Sequence, residues 1–332
     1  AAVAPPAPGH SLGDVAGLLQ DAAAPRHDPG RPHIIAPVDL QVVKAAGVTF
    51  AASMLERVIE EQAGGVAERA GEIRREVEGL IGEDLSSLVP GSDAAMALKQ
   101  VLIDKGIWSQ YLEVGIGPDA EIFTKCPVLA SVGPGADIGI HPMSRWNNPE
   151  PEVVLAVTST GAIVGATLGN DVNLRDVEGR SALLLGKAKD NNASCAIGPF
   201  VRLFDDKFSL DDVRRAEIGL TVTGVDGFIL QGASSMAKIS RDPQALVDAT
   251  INDHHQYPDG FVLFLGTMFA PTKDRGAPGE GFTHKLGDIV AIQTPGLGRL
   301  VNTVRHTNDC PAWSFGIAAL MRNLAARRLL AG

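Results

Sequence analysis

The spacing of hydrophobic residues changes near residue 111, and the change divides the chain in two. Between Met54 and Ile81, the residues Leu55, Val58, Ile59, Val66, Ile73, Val77 and Leu80 recur at helical intervals, with Glu and Arg between them. Gly64 and Gly65 predict a break there into two helices. A mixed acidic and basic face of this kind is expected to be solvated, although an inserted helical pair can also cover an active site as a lid. From Tyr111 onward the runs are short and β-rich, punctuated by Gly, Pro, Asn and Asp, as in a sheet protein with tight connections. Val153 to Val157 and Ala162 to Thr167 flank Thr158-Ser159-Thr160-Gly161, a hairpin signal. Further strands are expected at Ala216 to Val222, Phe261 to Leu265, Ile289 to Ile292 and Arg299 to Val304. Helices are expected at Pro243 to Asp253, capped by Asp242, and at Ala312 to Leu330. Residues 1 to 33 show little periodicity and read as a loose leader or the frayed edge of a small domain. Ile34 to Phe50 reads as a strand running into a loop at Gly47-Val48-Thr49-Phe50.

A chain of 332 residues can bury a substantial core in one large domain or in a large and a small one. The change in texture places the division at 1–110, a small N-terminal part with the helical insertion, and 111–332, the larger β-rich part. Apolar residues at 45% and charged residues at 20% are values of a globular protein. A net charge of -10 argues against nucleic acid as a partner, since binders of the phosphate backbone present a basic face. No apolar run approaches the roughly 20 residues of a membrane-crossing helix, so no membrane partner is expected. Residues 1 to 9 lack the basic start and Leu-rich core of a signal peptide, and a cytoplasmic location is expected. Cys126, Cys195 and Cys310 are far apart and odd in number, which fits reduced thiols better than a disulfide framework.

The chemistry concentrates in Asn147-Asn148-Pro149-Glu150-Pro151-Glu152-Val153-Val154. On an extended backbone, residues two apart point to the same side, so Glu150 and Glu152 converge and require a proton or a cation. After the hairpin comes Gly169-Asn170-Asp171-Val172, where Asp171 follows a strand and can return beside the glutamates. Three carboxylates make an all-oxygen site that favours Mg²⁺, Mn²⁺ or Ca²⁺ over Zn²⁺ and leaves positions open for water and substrate. The competing reading is that the charges keep a strand edge from pairing with another chain.

The order of these strings resembles the fumarylacetoacetate hydrolase superfamily over roughly residues 36 to 330. Phe123-Thr124-Lys125-Cys126-Pro127 resembles its Phe-x-Lys-x-Pro segment, Glu150-Pro151-Glu152 its metal pair, and Asn170-Asp171-Val172 its third-ligand segment. Lys187 to Pro199 resembles the active-site lysine segment, with Lys189 ten residues before Pro199. Leu265-Gly266-Thr267 resembles the Thr-Gly-Thr turn and Leu286-Gly287-Asp288 the Pro-Gly-Asp before the final strands. The resemblance implies an α+β fold, with a mixed β-sheet roll or sandwich as catalytic domain, a smaller N-terminal domain and a helical insertion. It also implies Mg²⁺ held by Glu150, Glu152 and Asp171, and a homodimer or homotetramer.

Many hydrolases of the superfamily carry Asn-Tyr-x-x-His-x-x-Glu on a lid, with the His-Glu pair activating water. The matching stretch here, Thr49 to Glu56, keeps Glu56 but places Ser53 at the histidine, and a hydroxyl is no general base without a partner. That departure, Trp146 to Glu152 and Asp190 to Cys195 all resemble the branch that dehydrates 2-keto-3-deoxypentonates to 2-oxoglutarate semialdehyde (2,5-dioxopentanoate). The resemblance implies a small-molecule 2-keto sugar acid as partner, with Lys189 moving a proton or stabilising an enolate. A lysine beside a divalent cation in a dry pocket is expected to have a depressed pKa. Glu121 is the second candidate, as acid or base for the departing hydroxyl, although an exposed strand-end Glu would look the same. Thr267 would bond the substrate carboxylate or merely cap a turn, and Ser53 would touch substrate. The rival readings are a C–C hydrolase of a diketo acid and a non-catalytic sugar-acid or Ca²⁺-binding module.

Other signals carry less. Gly179 to Ala188 has six residues between its glycines and lacks the Ser or Thr of a phosphate loop. His254 and His255 are adjacent and read as surface residues. Gly133-Pro134-Gly135 and Gly276 to Gly281 read as turns, so no nicotinamide cofactor is expected.

Overall fold

A computed structural model describes residues 13–22, 24, 28, 30–81, 88–104, 106, 108–269, 271–276 and 281–330, with the backbone alone for 76–81. In chain order its elements are helix α1 (Val15–Ala22), strand β1 (Val42–Gly47) and helices α2 (Ala51–Gln62), α3 (Ala67–Ile81), α4 (Asp93–Asp104) and α5 (Gln110–Ile116). Then follow β2 (Glu121–Cys126), β3 (Asp137–Ile140), β4 (Asn147–Asn148), β5 (Pro151–Val157), β6 (Ile163–Asp171), β7 (Asn173–Leu174), α6 (Arg175–Glu178) and α7 (Leu185–Lys189). The chain continues through β8 (Cys195–Leu203), α8 (Leu210–Arg214), β9 (Glu217–Thr223), β10 (Ile229–Ser235) and α9 (Pro243–Thr250). It closes with β11 (Phe261–Phe264), β12 (Ile289–Thr294), β13 (Gly298–His306) and α10 (Ile317–Ala326).

Six strands form a mixed sheet in the order β2-β1-β11-β5-β6-β8, five form a second in the order β10-β9-β12-β13-β3, and β4 pairs with β7 beside them. Period-2 alternation explains the second sheet: Ile218, Leu220 and Val222 of β9 are buried between more exposed neighbours. They meet Leu155 and Leu168 of the first sheet in the main core. Strands β5 and β11 are buried on both faces, because Val43, Ala45, Val154, Ile197, Val262 and Phe264 build a second core on the far side. Each such fully buried Leu, Val or Phe contributes about 1.5–3 kcal/mol. The helices α2, α4 and α5 add a third cluster around Ile59, Leu102, Leu112 and Trp146.

The α+β class and the mixed sheets agree with the sequence reading, and so do the hairpin, the break at Gly64 and Gly65 and the Asp242 cap, which accepts from Gln244 N–H. Four points differ. Part of the expected leader is a helix, α1, whose residues 15, 18 and 19 are apolar; residues 1–12 and much of 23–29 lie outside the described residues. The β-rich texture begins at Glu121 rather than Tyr111, because Ser109 accepts from Tyr111 N–H and starts α5, which buries Tyr111, Leu112 and Ile116. The face of α2 is not solvated: Ser53, Glu56, Arg57 and Glu60 are buried, whereas α3 is the exposed partner through residue 75. The final helix spans only Ile317–Ala326. Strand β1, from the segment before residue 110, lies between β2 and β11, so a boundary at 110 would separate it from the sheet it completes. His254 and His255 are exposed in a turn on Asn252, and most of Gly276 to Gly281 lies outside the described residues.

Candidate active site

Two neighbouring strands build the acid centre. In the antiparallel pair β5–β6, Glu152 stands opposite Gly169, and Asp171 N–H extends the ladder by donating to Glu150 O at 3.0 Å. Alternation then puts Glu150, Glu152, Gly169 and Asp171 on one face. It is the face of the second core, since a Cβ on Gly169 would stand 2.2 Å from the Phe264 ring. Glu150, Glu152 and Asp171 are all buried and bring ligand oxygens within 4.8 Å of one another. Gly266 holds Glu152 through an N–H bond of 2.6 Å to Oε2. The φ of 93° and the nearness of Thr49 Oγ1, 2.0 Å from a Cβ built there, require glycine.

Cations approach from three elements. Lys189, at the end of α7, donates from Nζ to Glu150 Oε2 at 2.5 Å and to Asp171 Oδ2 at 3.0 Å. Lys125 of β2 is fully buried; its Nζ bonds Lys189 O, Val172 O and Ser194 Oγ and stands 2.8 Å from Asp171 Oδ1, without the alignment of a hydrogen bond. Arg57 of α2 bonds Glu150 Oε1 and, at 2.6 Å, Glu60 Oε2. Among the described residues, five carboxylates (Glu121, Glu150, Glu152, Asp171, Glu178) and two cations (Arg57, Lys189) line the cavity these groups enclose, with Ser53, Phe123, Gly47 and Thr267 also in its wall. Its free volume is about 20 Å³, room for one ion or water.

The electrostatics follow from that surplus. Burial raises the pKa of Glu152, and the neighbouring Asp171 and Glu150 charges raise it further. Burial also opposes ionisation of Asp171, yet Lys125 and Lys189 hold it below the usual carboxylate range. Glu121 is pushed up to about 7 by burial and by Glu178. With no divalent cation among the carboxylates, burial lowers the pKa of Lys189, but Asp171, Glu150 and Glu178 outweigh burial and raise it. A divalent cation fits this donor set, because it would relieve the repulsion that now favours a protonated Glu152.

Of the residues singled out in the sequence, Glu121, Glu150, Glu152, Asp171, Lys189, Ser53 and Thr267 all line this one cavity. Ser53 Oγ donates to Phe50 O at 2.9 Å, and Thr267 Oγ1 donates to Phe269 O at 3.1 Å. Glu56 does not join them: Arg74 and Arg175 bond its carboxylate at 2.7–3.1 Å. Arg57, Glu178 and Lys125 were given no role by the sequence. Arg57 follows Ser53 by one helical turn, and that spacing was the available signal.

Residues 118–305 match the family model of the fumarylacetoacetate (FAA) hydrolase C-terminal domain. A probable 2-keto-3-deoxyxylonate dehydratase of Haloferax volcanii is 32% identical over 194 residues, 58% of this chain and 63% of that protein. The 2-dehydro-3-deoxy-D-arabinonate dehydratase of Saccharolobus solfataricus is 31% identical over 188 residues, 56% of this chain and 58% of that one. The matches thus span about three-fifths of the length of these relatives. Among solved structures, 2-keto-3-deoxy-D-arabinonate dehydratase in its apo form is similar with a TM-score of 0.63 and 23% identity, over 90% of this chain and 82% of that one. The same enzyme complexed with magnesium and 2,5-dioxopentanoate gives 0.61, 23% and the same coverage, a likeness of fold.

Proposed function

The chain belongs to the fumarylacetoacetate hydrolase family, and we propose that it is a Mg²⁺-dependent hydro-lyase converting a 2-keto-3-deoxypentonate, such as 2-keto-3-deoxy-D-xylonate, to 2,5-dioxopentanoate. One observation carries the choice of reaction: where a family hydrolase needs a base for water, Ser53 is committed to Phe50 O and Glu56 to Arg74 and Arg175, and no histidine lines the cavity among the described residues. The named relatives support the same reading.

Bound at Glu150, Glu152 and Asp171, Mg²⁺ would act as a Lewis acid on the α-keto acid head and acidify carbon 3. The charged Lys189 then lies beside that head and stabilises the negative charge that develops on the keto oxygen. Glu121, titrating near neutrality, takes the carbon 3 proton and gives it to the carbon 4 hydroxyl, which departs as water. The carbon 3–carbon 4 double bond left behind moves to carbon 4–carbon 5 as a proton passes from carbon 5 to carbon 3, and the resulting enol passes its hydroxyl proton to carbon 4, which leaves the aldehyde at carbon 5. Thr267 and Ser53 close the wall against bulk water, and because the closed cavity has room for one ion or water, the five-carbon acid enters as that wall opens. The part before residue 110 serves the catalytic part at 111–332 in two ways, completing its sheet through β1 and covering the site through α2. A cytoplasmic, homo-oligomeric protein belongs to the same reading, supported by three free cysteines and by the exposed Trp313, Phe315, Ile317 and Met321 at α10.

The test is turnover of synthetic 2-keto-3-deoxy-D-xylonate and its L-arabinonate-derived epimer with Mg²⁺, following 2,5-dioxopentanoate by mass. Cleavage of a carbon–carbon bond in a diketo acid instead, stabilisation by the sugar acid without turnover, or undiminished activity after chelation would each overturn the proposal.

A further inference from the structure

Beyond the metal centre the cavity contains a carboxylate that neither the triad nor the chemistry above uses. Glu178 closes the short helix α6, is 3% exposed and lines the cavity. Among the described residues its Oε2 has no hydrogen-bond partner, and Arg57 Nη1 pairs with it from 3.4 Å. The same guanidinium bonds Glu150 through its other nitrogen, so Glu178 lies one guanidinium width from the metal ligands. A buried carboxylate oxygen whose paired cation makes no hydrogen bond to it is costly unless a donor arrives with the ligand.

We propose that Glu178 is the specificity-determining residue of this pocket, accepting a hydrogen bond from a hydroxyl on the distal carbons of the 2-keto acid. The inference rests on the hydro-lyase reading and deepens it. Polarity along the cavity sets the orientation: Lys189 and a divalent ion draw the carboxylate head, whereas Glu121 and Glu178 together repel an anion and welcome O–H donors. A pocket that binds a hydroxyl this way rejects an analogue without it, because the carboxylate is then left unsatisfied.

The experiment compares wild type with Glu178→Gln and Glu178→Ala. It measures kcat and KM for 2-keto-3-deoxy-D-xylonate, and inhibition by 2-oxopentanoate, an acid of equal length without hydroxyls, all with Mg²⁺. Both variants should lose roughly tenfold to a hundredfold in kcat/KM for the hydroxylated acid, while the inhibition constant of 2-oxopentanoate moves less than about twofold. Equal losses for both acids, or no loss for either, would overturn the proposal. Should wild type turn over no pentonate, the hydro-lyase reading fails by itself, and Glu178 is judged by calorimetry: wild type must bind the hydroxylated acid more tightly than 2-oxopentanoate, and Glu178→Gln must erase the difference.

Discussion

Two of the buried charge clusters among the described residues are built on opposite rules. In one, Asp288 is fully buried and saturated: Arg275 bonds both its oxygens, and His284 Nδ1 and Lys285 N–H each lie 3.0 Å from Oδ2. Burial opposes its ionisation, but these donors hold it below the usual range. Arg275 also reaches Asp226, and His284 N–H bonds Asn147 Oδ1, so the cluster pins the loop before β12 to the segment that leads into Glu150. In the cavity, carboxylates outnumber cations among the described residues, Glu178 Oε2 has no hydrogen bond among them, and Glu152, Glu178 and Glu121 are all shifted upward, chiefly by burial. A saturated carboxylate is a fastening. A surplus of carboxylates, one of them without a hydrogen bond, is a site prepared for a cation and for donors that come from outside.

The contrast fails if the two clusters answer substitution alike. The largest effect is expected for Lys189→Ala, which should retain a fold but lose roughly 10³–10⁴ in kcat; Glu150→Gln should in addition abolish the rise in Tm that Mg²⁺ gives the parent. Full activity in Lys189→Ala would remove it from the chemistry. Next comes Asp288→Asn, which keeps the shape but leaves Arg275 and its partners short of an anion. It should lower stability by about 3–5 kcal/mol in urea unfolding, with turnover per folded molecule changed by less than about tenfold. A neutral result there would show that the saturated cluster fastens nothing.

What the sequence made legible depended on how local each feature was. The triad could be read because Glu150 and Glu152 are two residues apart on one strand and a single hairpin returns Asp171 beside them. Lys189 and Lys125 stood out only inside strings that resemble a family, since nothing in their spacing brings α7 and β2 together; the roll does, at the Lys125–Lys189 O contact. Arg57 was hidden by its own helix, where a charge among Glu residues looks solvated until α2 is seen to dock on α6 through Glu60–Arg175. Glu178 had no pattern at all, because a helix of four residues has no periodicity. The same limit applied to elements: β8 contains Pro199 and β10 reads ILQGASS, so neither shows a β-branched run, and tertiary pairing with β6 and β9 makes them strands.

A smaller effect separates the clusters by sign. Glu121 has a folded pKa of about 7 against 4.5 ordinarily, so between these values the folded protein binds more protons than the unfolded chain. Metal-free protein therefore carries this group without cost below about pH 4.5 and loses stability as pH rises through 7. Glu121→Gln should remove that loss: no change at pH 4, and a gain of about 1–2 kcal/mol at pH 8, the figure discounted for its partial exposure. Activity should fall in the same variant. Asp288→Asn does the reverse, since a lowered pKa marks a charge the fold uses. Thermal melts of both variants from pH 4 to 8 decide it, and a Glu121→Gln protein less stable than its parent at pH 8 would erase the distinction.

The smallest effect concerns what makes room for Glu121. Gly47, at the end of β1, stands opposite Glu121 across the β1–β2 ladder, and a Cβ on it would lie 1.9 Å from Glu121 Oε2 and 2.6 Å from Cδ. The obstacle is the free end of a flexible side chain, so Gly47→Ala should turn the carboxylate aside rather than unfold the sheet. Stability should change by less than about 1 kcal/mol, whereas kcat should fall about tenfold, because displacing a proton-transfer group by an ångström is felt in the barrier. The double variant Gly47→Ala/Glu121→Gln isolates the cause. If Gly47 matters only by leaving space for that carboxylate, the second substitution adds no further loss to Glu121→Gln, and full additivity would place the effect of Gly47 elsewhere.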